Sequence, residues 1–248
     1  MKSRINFIGC PIDCVTMEWT IDKIDQSIRN NHVLHQVVVN AAKVVNMRID
    51  PELHESVVNC DIINADGQAV VWASRFLGKP LPERVAGIDL MENLVKLAFE
   101  QNYKVFFFGA KEDVVSAVVN RYSQQYSSDI IGGYRNGYFT TGEEKEIARE
   151  IGDSGSQILF VAISSPKKEI YLNKYKDIIN TPFIMGVGGS FDVVSGKVKR
   201  APMWMQESGL EWFYRFLQEP RRMWRRYLYT NSAFIFLVLK EKIKQILS

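Results

Sequence analysis

The first residue of this chain with an evident chemical use is a carboxylate placed directly after a short apolar run. Asn64-Ala65-Asp66-Gly67 follows Ile62-Ile63 and places Asp66 on a tight turn, where its side chain can project into a cleft. Gly67 lets a ligand or a backbone segment approach closely. Asp66 is therefore a candidate general base. The alternative is that Asp66 caps the following helix, because Asp is a preferred N-cap residue.

Two glycine-bearing turns are candidates for phosphate binding. Gly186-Val187-Gly188-Gly189 offers backbone amides to a diphosphate, and a tight turn with close packing is the competing explanation. The segment 104–110 resembles a nucleotide-binding strand and turn, but it lacks both G-x-G-x-x-G and G-K-[ST]. No D-x-D is present to hold a divalent ion, so a nucleotide-diphosphate substrate would need fixed cations such as Arg84 and Arg200.

A basic and aromatic segment near the end of the chain indicates a surface for phosphates. It runs Arg221-Arg222-Met223-Trp224-Arg225-Arg226-Tyr227, and on a helix Arg222, Arg225 and Arg226 share one face. Arginine clusters bind phosphate, and Trp and Tyr favour the headgroup region of a bilayer. The segment therefore predicts a helix lying on an anionic membrane. A solvated basic face over a buried aromatic stripe is the main alternative, and we expect no nucleic-acid partner because no nucleic-acid motif accompanies it.

Charge is distributed unevenly along the 248 residues. The net charge is +3, but from Lys197 onward eleven Lys and Arg residues face four Glu residues, which leaves the first 196 residues negative. The longest apolar run near the end, 233–239, is far shorter than the roughly 20 residues of a spanning helix. The three cysteines form no C-x-x-C pair, and the early Pro11 and Asp13 interrupt any signal-peptide core. We expect a cytoplasmic protein, peripheral on the inner face of the membrane, with no metal site.

Alternation of apolar runs with helical patterns predicts the fold class. Strand-like runs are expected at 37–39, 61–63, 104–110, 158–163 and 183–189, and helices at 41–48, 68–77, 112–126 and 169–175. This spacing predicts an α/β fold with a mainly parallel sheet, helices on both faces and ligands at the carboxyl ends of the strands. After Pro202 the sequence becomes helical, basic and aromatic, with helices expected at 210–217 and 221–239. We therefore divide the chain into an α/β catalytic domain, 1–200, and an appendage, 201–248.

Taken together, these segments resemble the WecG/TagA/CpsF glycosyltransferase family, glycosyltransferase family 26, from about Asn40 to Tyr227. The matching stretches lie in order along the chain: Val39-Asn40-Ala41, Asn64-Ala65-Asp66-Gly67, 83–90, Phe108-Gly109-Ala110, Gly137-Tyr138-Phe139, 165–169, Gly186-Val187-Gly188, Phe191-Asp192, 196–202, 209–212 and 218–222.

The resemblance implies an inverting, metal-independent and cofactor-free transfer from a UDP-sugar to a polyprenyl-diphosphate-linked saccharide. The donor would be UDP-N-acetylmannosamine, its uronic acid or another UDP-hexose. The fold would be Rossmann-like, with a membrane-docking C-terminal appendage. By this resemblance Asp66 is the base, Asn40 orients the sugar, and Arg84 contacts a phosphate of the acceptor or donor.

The resemblance also implies two sets of binding residues. The substrate-binding set is Gly109, Ala110, Tyr138, Pro166, Lys168, Glu169, Gly186, Gly188, Asp192 and Arg200. The membrane or acceptor set is Arg215, Arg221, Arg222, Trp224, Arg225 and Arg226. Lys168 stands where the family commonly has glutamine. Either the donor sugar carries a carboxylate or another hydrogen-bond acceptor group there, or Lys168 reaches the diphosphate.

Two other functions remain open at this point. One is a nucleotide-cofactor oxidoreductase on the same scaffold, which the missing dinucleotide glycines disfavour. The other is a non-catalytic membrane-associated assembly subunit. The aromatic residues of the appendage would also let a second copy pack there, so a homo-oligomer stays open.

Overall fold

Short apolar runs that end in glycine or polar residues build the sheet of this protein. The computed structural model describes residues 3–247, except for the side chains of Arg222 and Arg226. The strands are β1 Arg4–Phe7, β2 Cys10–Asp13, β3 Leu34–Val39, β4 Ile62–Ala65, β5 Val105–Gly109, β6 Ile131–Arg135, β7 Ile158–Ala162 and β8 Phe183–Gly186.

The α-helices alternate with the strands up to β8 and then follow one another. They are α1 Met17–Arg29, α2 Ala41–Asn46, α3 Pro51–Val58, α4 Gln68–Phe76, α5 Gly87–Gln101, α6 Glu112–Gln125, α7 Glu144–Asp153, α8 Lys167–Ile179, α9 Ser190–Val194, α10 Met203–Glu207, α11 Glu211–Gln218 and α12 Pro220–Leu247.

Six strands form one parallel sheet in the order β4-β3-β8-β7-β5-β6. The central strands are apolar on both sides, as strands covered by helices on both faces must be. Helices α1, α5, α6 and α9 pack on one face, which we call the first face. Helices α2, α3, α4, α7 and α8 pack on the opposite, second face. The predicted α/β fold with a parallel sheet and helices on both faces is confirmed.

The strand order creates crevices at the carboxyl edge of the sheet, and two of them adjoin the predicted site residues. Helix α6, which follows β5, packs on the first face, whereas α8, which follows the neighbouring β7, packs on the second. Likewise α2 leaves β3 for the second face, and α9 leaves the adjacent β8 for the first. Ligands of open parallel sheets bind where neighbouring strands send their connections to opposite faces. The two crevices therefore mark where a substrate site belongs.

A small antiparallel hairpin of β1 and β2 extends the fold beyond β4. The buried Asp13 carboxylate joins it to the sheet, accepting from the Arg4 guanidinium at 2.7 Å and from the Ile63 amide at 2.8 Å. Neither this hairpin nor β6 was predicted from the sequence.

The last helix packs part of its length back onto the body of the protein. Phe234 and Val238 of α12 are buried in the cluster that contains Phe7, Val39 and Val44. None of the helices within residues 3–247 is long and apolar enough to span a bilayer. The division at residue 200 stays a prediction.

Candidate active site

Asp66 lies at the carboxyl end of β4, and its side chain contacts a helix distant in sequence. The Asp66 amide donates to the Val39 carbonyl at 2.9 Å, which joins the ends of β4 and β3. Its Oδ1 accepts from the amide of Gly87, the first residue of α5, at 3.1 Å. The N-cap of α4 is Gly67, which makes no side-chain capping bond. The alternative interpretation, that Asp66 caps the helix that follows it, is therefore wrong.

Burial gives the Asp66 carboxylate an unusual basicity. Desolvation raises its pKa from the ordinary 3.8 to about 6, against the lowering effects of the Gly87 amide and the Arg84 and Lys43 cations. The Glu211 carboxylate adds to the rise. A carboxylate with this pKa is ionised at neutral pH and still basic enough to accept a proton.

Arg84 lies next to Asp66 in a network of charges that reaches the C-terminal helices. The Arg84 guanidinium is 3.2 Å from Oε2 of Glu211 on α11 and 3.9 Å from Asp89 of α5. Arg200 meets the same two carboxylates, at 2.5 Å from Asp89 and 3.6 Å from Glu211. Two of the predicted phosphate-binding arginines therefore lie together, and Glu211 holds both of them.

Asn40 lies beside the turn that carries Asp66. The Asn40 Cβ is 3.5 Å from where a Cβ on Gly67 would lie. Its Oδ1 accepts from the Lys43 amide at 3.0 Å and so caps α2. Asn40 therefore lies beside Asp66, and its amide oxygen begins a helix.

A buried ion cluster occupies the crevice between β3 and β8. Oε1 of Glu169 is 2.7 Å from the ammonium of Lys168 and 2.7 Å from that of Lys43. All three side chains are less than one tenth exposed, and the Lys168 stem packs against Gly186. Two cations share one carboxylate, so the cluster carries an excess positive charge at the edge where an anionic substrate would bind.

The crevice between β5 and β7 holds the residues predicted at the other end of the site. Gly109 has φ +124° and passes so close to Ala162 that any Cβ would meet its carbonyl carbon and oxygen at 2.5–2.6 Å. Ala110 follows in the left-handed region at φ +56°, a strained conformation typical of functional turns. The Ala110 carbonyl accepts from Gly137 at 2.8 Å, which brings exposed Tyr138 to the rim.

The glycine-rich turn after β8 brings Arg215 to the same edge. The Arg215 guanidinium packs against Gly189, and 4.0 Å separates it from the Asp192 carboxylate. Gly188 completes the turn with φ +54°. Arg215 was predicted in the membrane or acceptor set, and the structure places it beside the turn predicted to bind diphosphate.

The remaining predicted residues belong to α8 and to the start of α12. Pro166 is the N-cap residue of α8, next to the ion cluster. Arg221, Trp224 and Arg225 are exposed on the first turns of α12, with the Arg225 guanidinium 5.2 Å from the Trp224 ring. The side chains of Arg222 and Arg226 lie outside the described part of the structure.

Comparison with known proteins identifies the family. Residues 5–247 match the profile described as the glycosyl transferase WecG/TagA/CpsF family. The chain belongs to this family. Two relatives are named N-acetylglucosaminyldiphosphoundecaprenol N-acetyl-β-D-mannosaminyltransferase. The one from Bacillus spizizenii (strain W23) is 37% identical over 193 residues, 78% of this chain and 74% of its own length. The one from Bacillus subtilis (strain 168) is 34% identical over 217 residues, 85% and 83%.

The WecG/TagA/CpsF protein described here is therefore a glycosyltransferase, as predicted. Two site residues were missed by the sequence interpretation. Lys43 contacts Glu169 across 126 positions of sequence, and Glu211 contacts Arg84 across 127. Glu211 lay within a stretch quoted for the resemblance, but no local pattern signals either contact.

Proposed function

We propose that this enzyme transfers a hexosyl group, with inversion, from a UDP-sugar to a polyprenyl-diphosphate-linked saccharide, with Asp66 as general base. The observation that supports this most strongly is the placement of Asp66. Its carboxylate has a raised pKa and lies at the carboxyl edge of a parallel sheet, with Asn40 and Arg84 beside it. The named relatives act, by their names, on an undecaprenyl-diphosphate-linked N-acetylglucosamine.

In the proposed step, Asp66 accepts the proton of an acceptor hydroxyl as that oxygen attacks the anomeric carbon of the donor. The new carbon–oxygen bond forms on the face opposite the bond to the UDP phosphate, whose electrons leave with UDP. Arg200 and Arg215 are fixed cations available to stabilise the negative charge that develops on the leaving diphosphate, and Arg84 is available to a phosphate of the acceptor or the donor. The absence of a metal or cofactor requirement stays a prediction.

Family membership decides between the interpretations left open earlier. A glycosyltransferase is neither an oxidoreductase nor a non-catalytic subunit, so both alternatives are wrong. The experiment that tests the proposed reaction is a panel of UDP-sugars incubated with an N-acetylglucosaminyl-diphosphate lipid. Transfer from at least one of them, with inversion at the anomeric carbon, is the expected result, and retention or no transfer from any UDP-sugar would contradict it.

As the donor we propose UDP-N-acetylmannosamine, because the relatives are named N-acetylmannosaminyltransferases. The corresponding UDP-linked uronic acid is the competing donor. Lys168 is the residue that bears on this choice. Its ammonium is buried and pairs with Glu169, which also pairs with Lys43. These two ammonium groups together carry one positive charge more than the Glu169 carboxylate balances. A carboxylated sugar would meet this charge, and the panel should include both donors.

The charge of Glu211 offers a test of Asp66 as the base. Because the Glu211 carboxylate raises the pKa of Asp66, a Glu211→Gln variant should have a lower pKa at Asp66. We expect the acid limb of the pH profile of kcat/KM to move to lower pH. Glu207→Gln, an exposed change on α10, is the control and should leave the profile in place. An acid limb that stays or moves upward in Glu211→Gln would argue against Asp66.

We further propose that the enzyme works on the membrane surface through the outward side of α12. This side is apolar along the helix, and its exposed side chains are Trp224, Leu228, Ile235, Leu239, Ile243 and Ile246. Exposed Arg221, Arg225, Lys240 and Lys244 accompany them. A helix with cations beside an outward apolar stripe fits an anionic membrane. The cytoplasmic, inner-face location of the enzyme belongs to this proposal.

Substituting Leu239 and Ile243 together by serine should weaken binding to vesicles that contain anionic phospholipid. Each side chain contributes about 1.5–3 kcal/mol when fully buried, so we expect a loss of at least about tenfold. Co-sedimentation measures the binding, and Phe99→Ser, on the first face, is the control. Unchanged vesicle binding, with a shift in the oligomeric state instead, would assign this stripe to a contact between copies.

A further inference from the structure

The outward side of α4 is apolar where a surface helix normally carries polar residues. Its inner side packs Val70, Val71 and Ala73 into the core of the second face. Trp72 and Phe76, four positions apart, point outward, and each is 50% exposed. Residues at this spacing lie one above the other on a helix. The two aromatic rings therefore form one continuous apolar strip, which we call the α4 strip.

From this strip we infer a binding site for the first isoprenoid units of the acceptor's polyprenyl chain. The inference rests on the proposed function, because it takes the acceptor from there. It adds a contact to the catalytic body itself, separate from the stripe of α12.

The position of the strip along the chain supports this assignment. Helix α4 begins immediately after Asp66-Gly67, so the strip starts from the carboxylate proposed as base. At a rise of 1.5 Å per residue, Trp72 and Phe76 lie about 8 and about 14 Å along the helix axis from Gly67. An acceptor whose hydroxyl lies at Asp66 extends through a sugar and a diphosphate before its hydrocarbon begins. The strip lies where that hydrocarbon would pass.

The C-terminal helices form one wall of the strip. The turn between α10 and α11 packs onto α4 so closely that a Cβ at Gly209 would lie 2.9 Å from the Trp72 ring and 2.8 Å from the Gln68 side chain. Two residues later, Glu211 of α11 pairs with Arg84. The same segment therefore touches the apolar strip and Arg84, a cation that acts on Asp66.

The charges around the strip match an amphiphile with an anionic head. Arg84 lies between Asp66 and α11, where a diphosphate would follow the acceptor sugar. Lys242 of α12 places its ammonium 5.4 Å from the centre of the Phe76 ring, at the far end of the strip. An apolar strip that begins beside Arg84 is complementary to a polyprenyl diphosphate and not to a sugar nucleotide, which has no apolar tail.

The test compares two acceptors that share the saccharide diphosphate and differ in the lipid, one carrying a long polyprenyl chain and one a short alkyl chain. In Trp72→Ala and in the double variant Trp72→Ala/Phe76→Ala, kcat/KM for the long-chain acceptor should fall about 10- to 100-fold. The value for the short-chain acceptor should stay within about twofold of the wild type. The conservative variant Trp72→Phe should retain most of the preference for the long chain.

Matched controls separate the possible outcomes. Phe99→Ala, which removes a similarly exposed ring (46%) from α5 on the first face, should affect neither acceptor. Equal loss on both acceptors, or no loss on either, would overturn the inference while leaving the proposed reaction intact. So would a long-chain defect accompanied by an equal loss of vesicle binding, which would assign the strip to the bilayer. Failure of the wild-type enzyme to transfer to either acceptor would overturn the proposed function and the inference with it.

Discussion

Replacing Asp66 with asparagine is expected to lower kcat about 10²- to 10⁴-fold, because a positioned general base contributes that much to proton transfer. Asparagine has nearly the same shape and can still accept the hydrogen bond that the Gly87 amide donates at 3.1 Å. It cannot accept a proton from an acceptor hydroxyl. Sugar transfer from UDP-sugar to the lipid-linked acceptor, followed under saturating substrates, measures the effect.

The stability of this variant should move in the opposite direction from its activity. The folded state raises the pKa of Asp66 from 3.8 to about 6, so the ionised form is disfavoured by folding. The stability associated with this group is present below pH 3.8 and is lost as the pH rises through 6. At neutral pH, Asp66→Asn removes that cost, so the variant should be at least as stable as the wild type. Its gain in the free energy of unfolding should not exceed about 3 kcal/mol. Urea denaturation at pH 7.5 measures it.

Asp50→Asn is a suitable control because Asp50 also accepts an amide hydrogen at a helix N-terminus. Its Oδ1 accepts from Leu53 at 3.0 Å and caps α3, a helix that carries none of the predicted site residues. Asparagine is an equally good cap, so this variant should keep full activity. If Asp66→Asn also kept full activity, another group would have to be the base. The wild-type kcat/KM should fall below about pH 6 with the slope of one proton.

Much of the sheet was predictable because its strands are covered on both faces. The buried runs Val105–Gly109 and Ile158–Ala162 contain no polar side chain, a pattern typical of a central parallel strand. The predicted strands lie within a few residues of the observed ones. Asp66 was predictable for a related reason, since a carboxylate directly after such a run lies at the carboxyl edge, where ligands bind.

Strand β6 and the end of α12 were missed because their local patterns are weak. Strand β6 contains Gly132 and Gly133 and lies at the edge of the sheet, partly exposed. Helix α12 was predicted to end at Leu239, but it continues to Leu247 through the charged segment that begins at Lys240. Polar residues on the exposed side of a helix resemble a loop when only the sequence is read.

The site contacts that were missed depend on strand order. Lys43 meets Glu169 only because β8 pairs with β3, in a register that aligns His35 with Ile184, 149 positions later in the sequence. Helix α8 follows β7 and leads into β8, so it begins at the carboxyl edge of the sheet. There it lies beside α2, which follows β3. Crossovers of this kind are decided by packing over the whole sheet, and periodicity within a segment carries no information about them.

Glu169→Gln should be the most destabilising single change at this edge. Glu169 is buried to 3% exposure, and its Oε1 lies 2.7 Å from both Lys43 and Lys168. Glu169→Gln removes this negative charge, so the two buried ammonium groups lose the carboxylate that both of them contact. Breaking a buried pair from one side typically costs about 3–5 kcal/mol. Urea denaturation at neutral pH should show a loss of that order.

Glu150→Gln provides the comparison, because Glu150 makes an ion pair of nearly the same length in solvent. Its carboxylate is 2.8 Å from Arg135 and 43% exposed, so its loss should cost less than about 1 kcal/mol. Burial alone would raise the pKa of Glu169, but the combined effect of Lys43 and Lys168 is larger and lowers this pKa from the ordinary 4.5 to about 2. Its stabilisation is therefore present above pH 4.5 and lost as the pH falls toward 2. Equal losses in the two variants at neutral pH would mean that the buried cluster is no stronger than a surface pair.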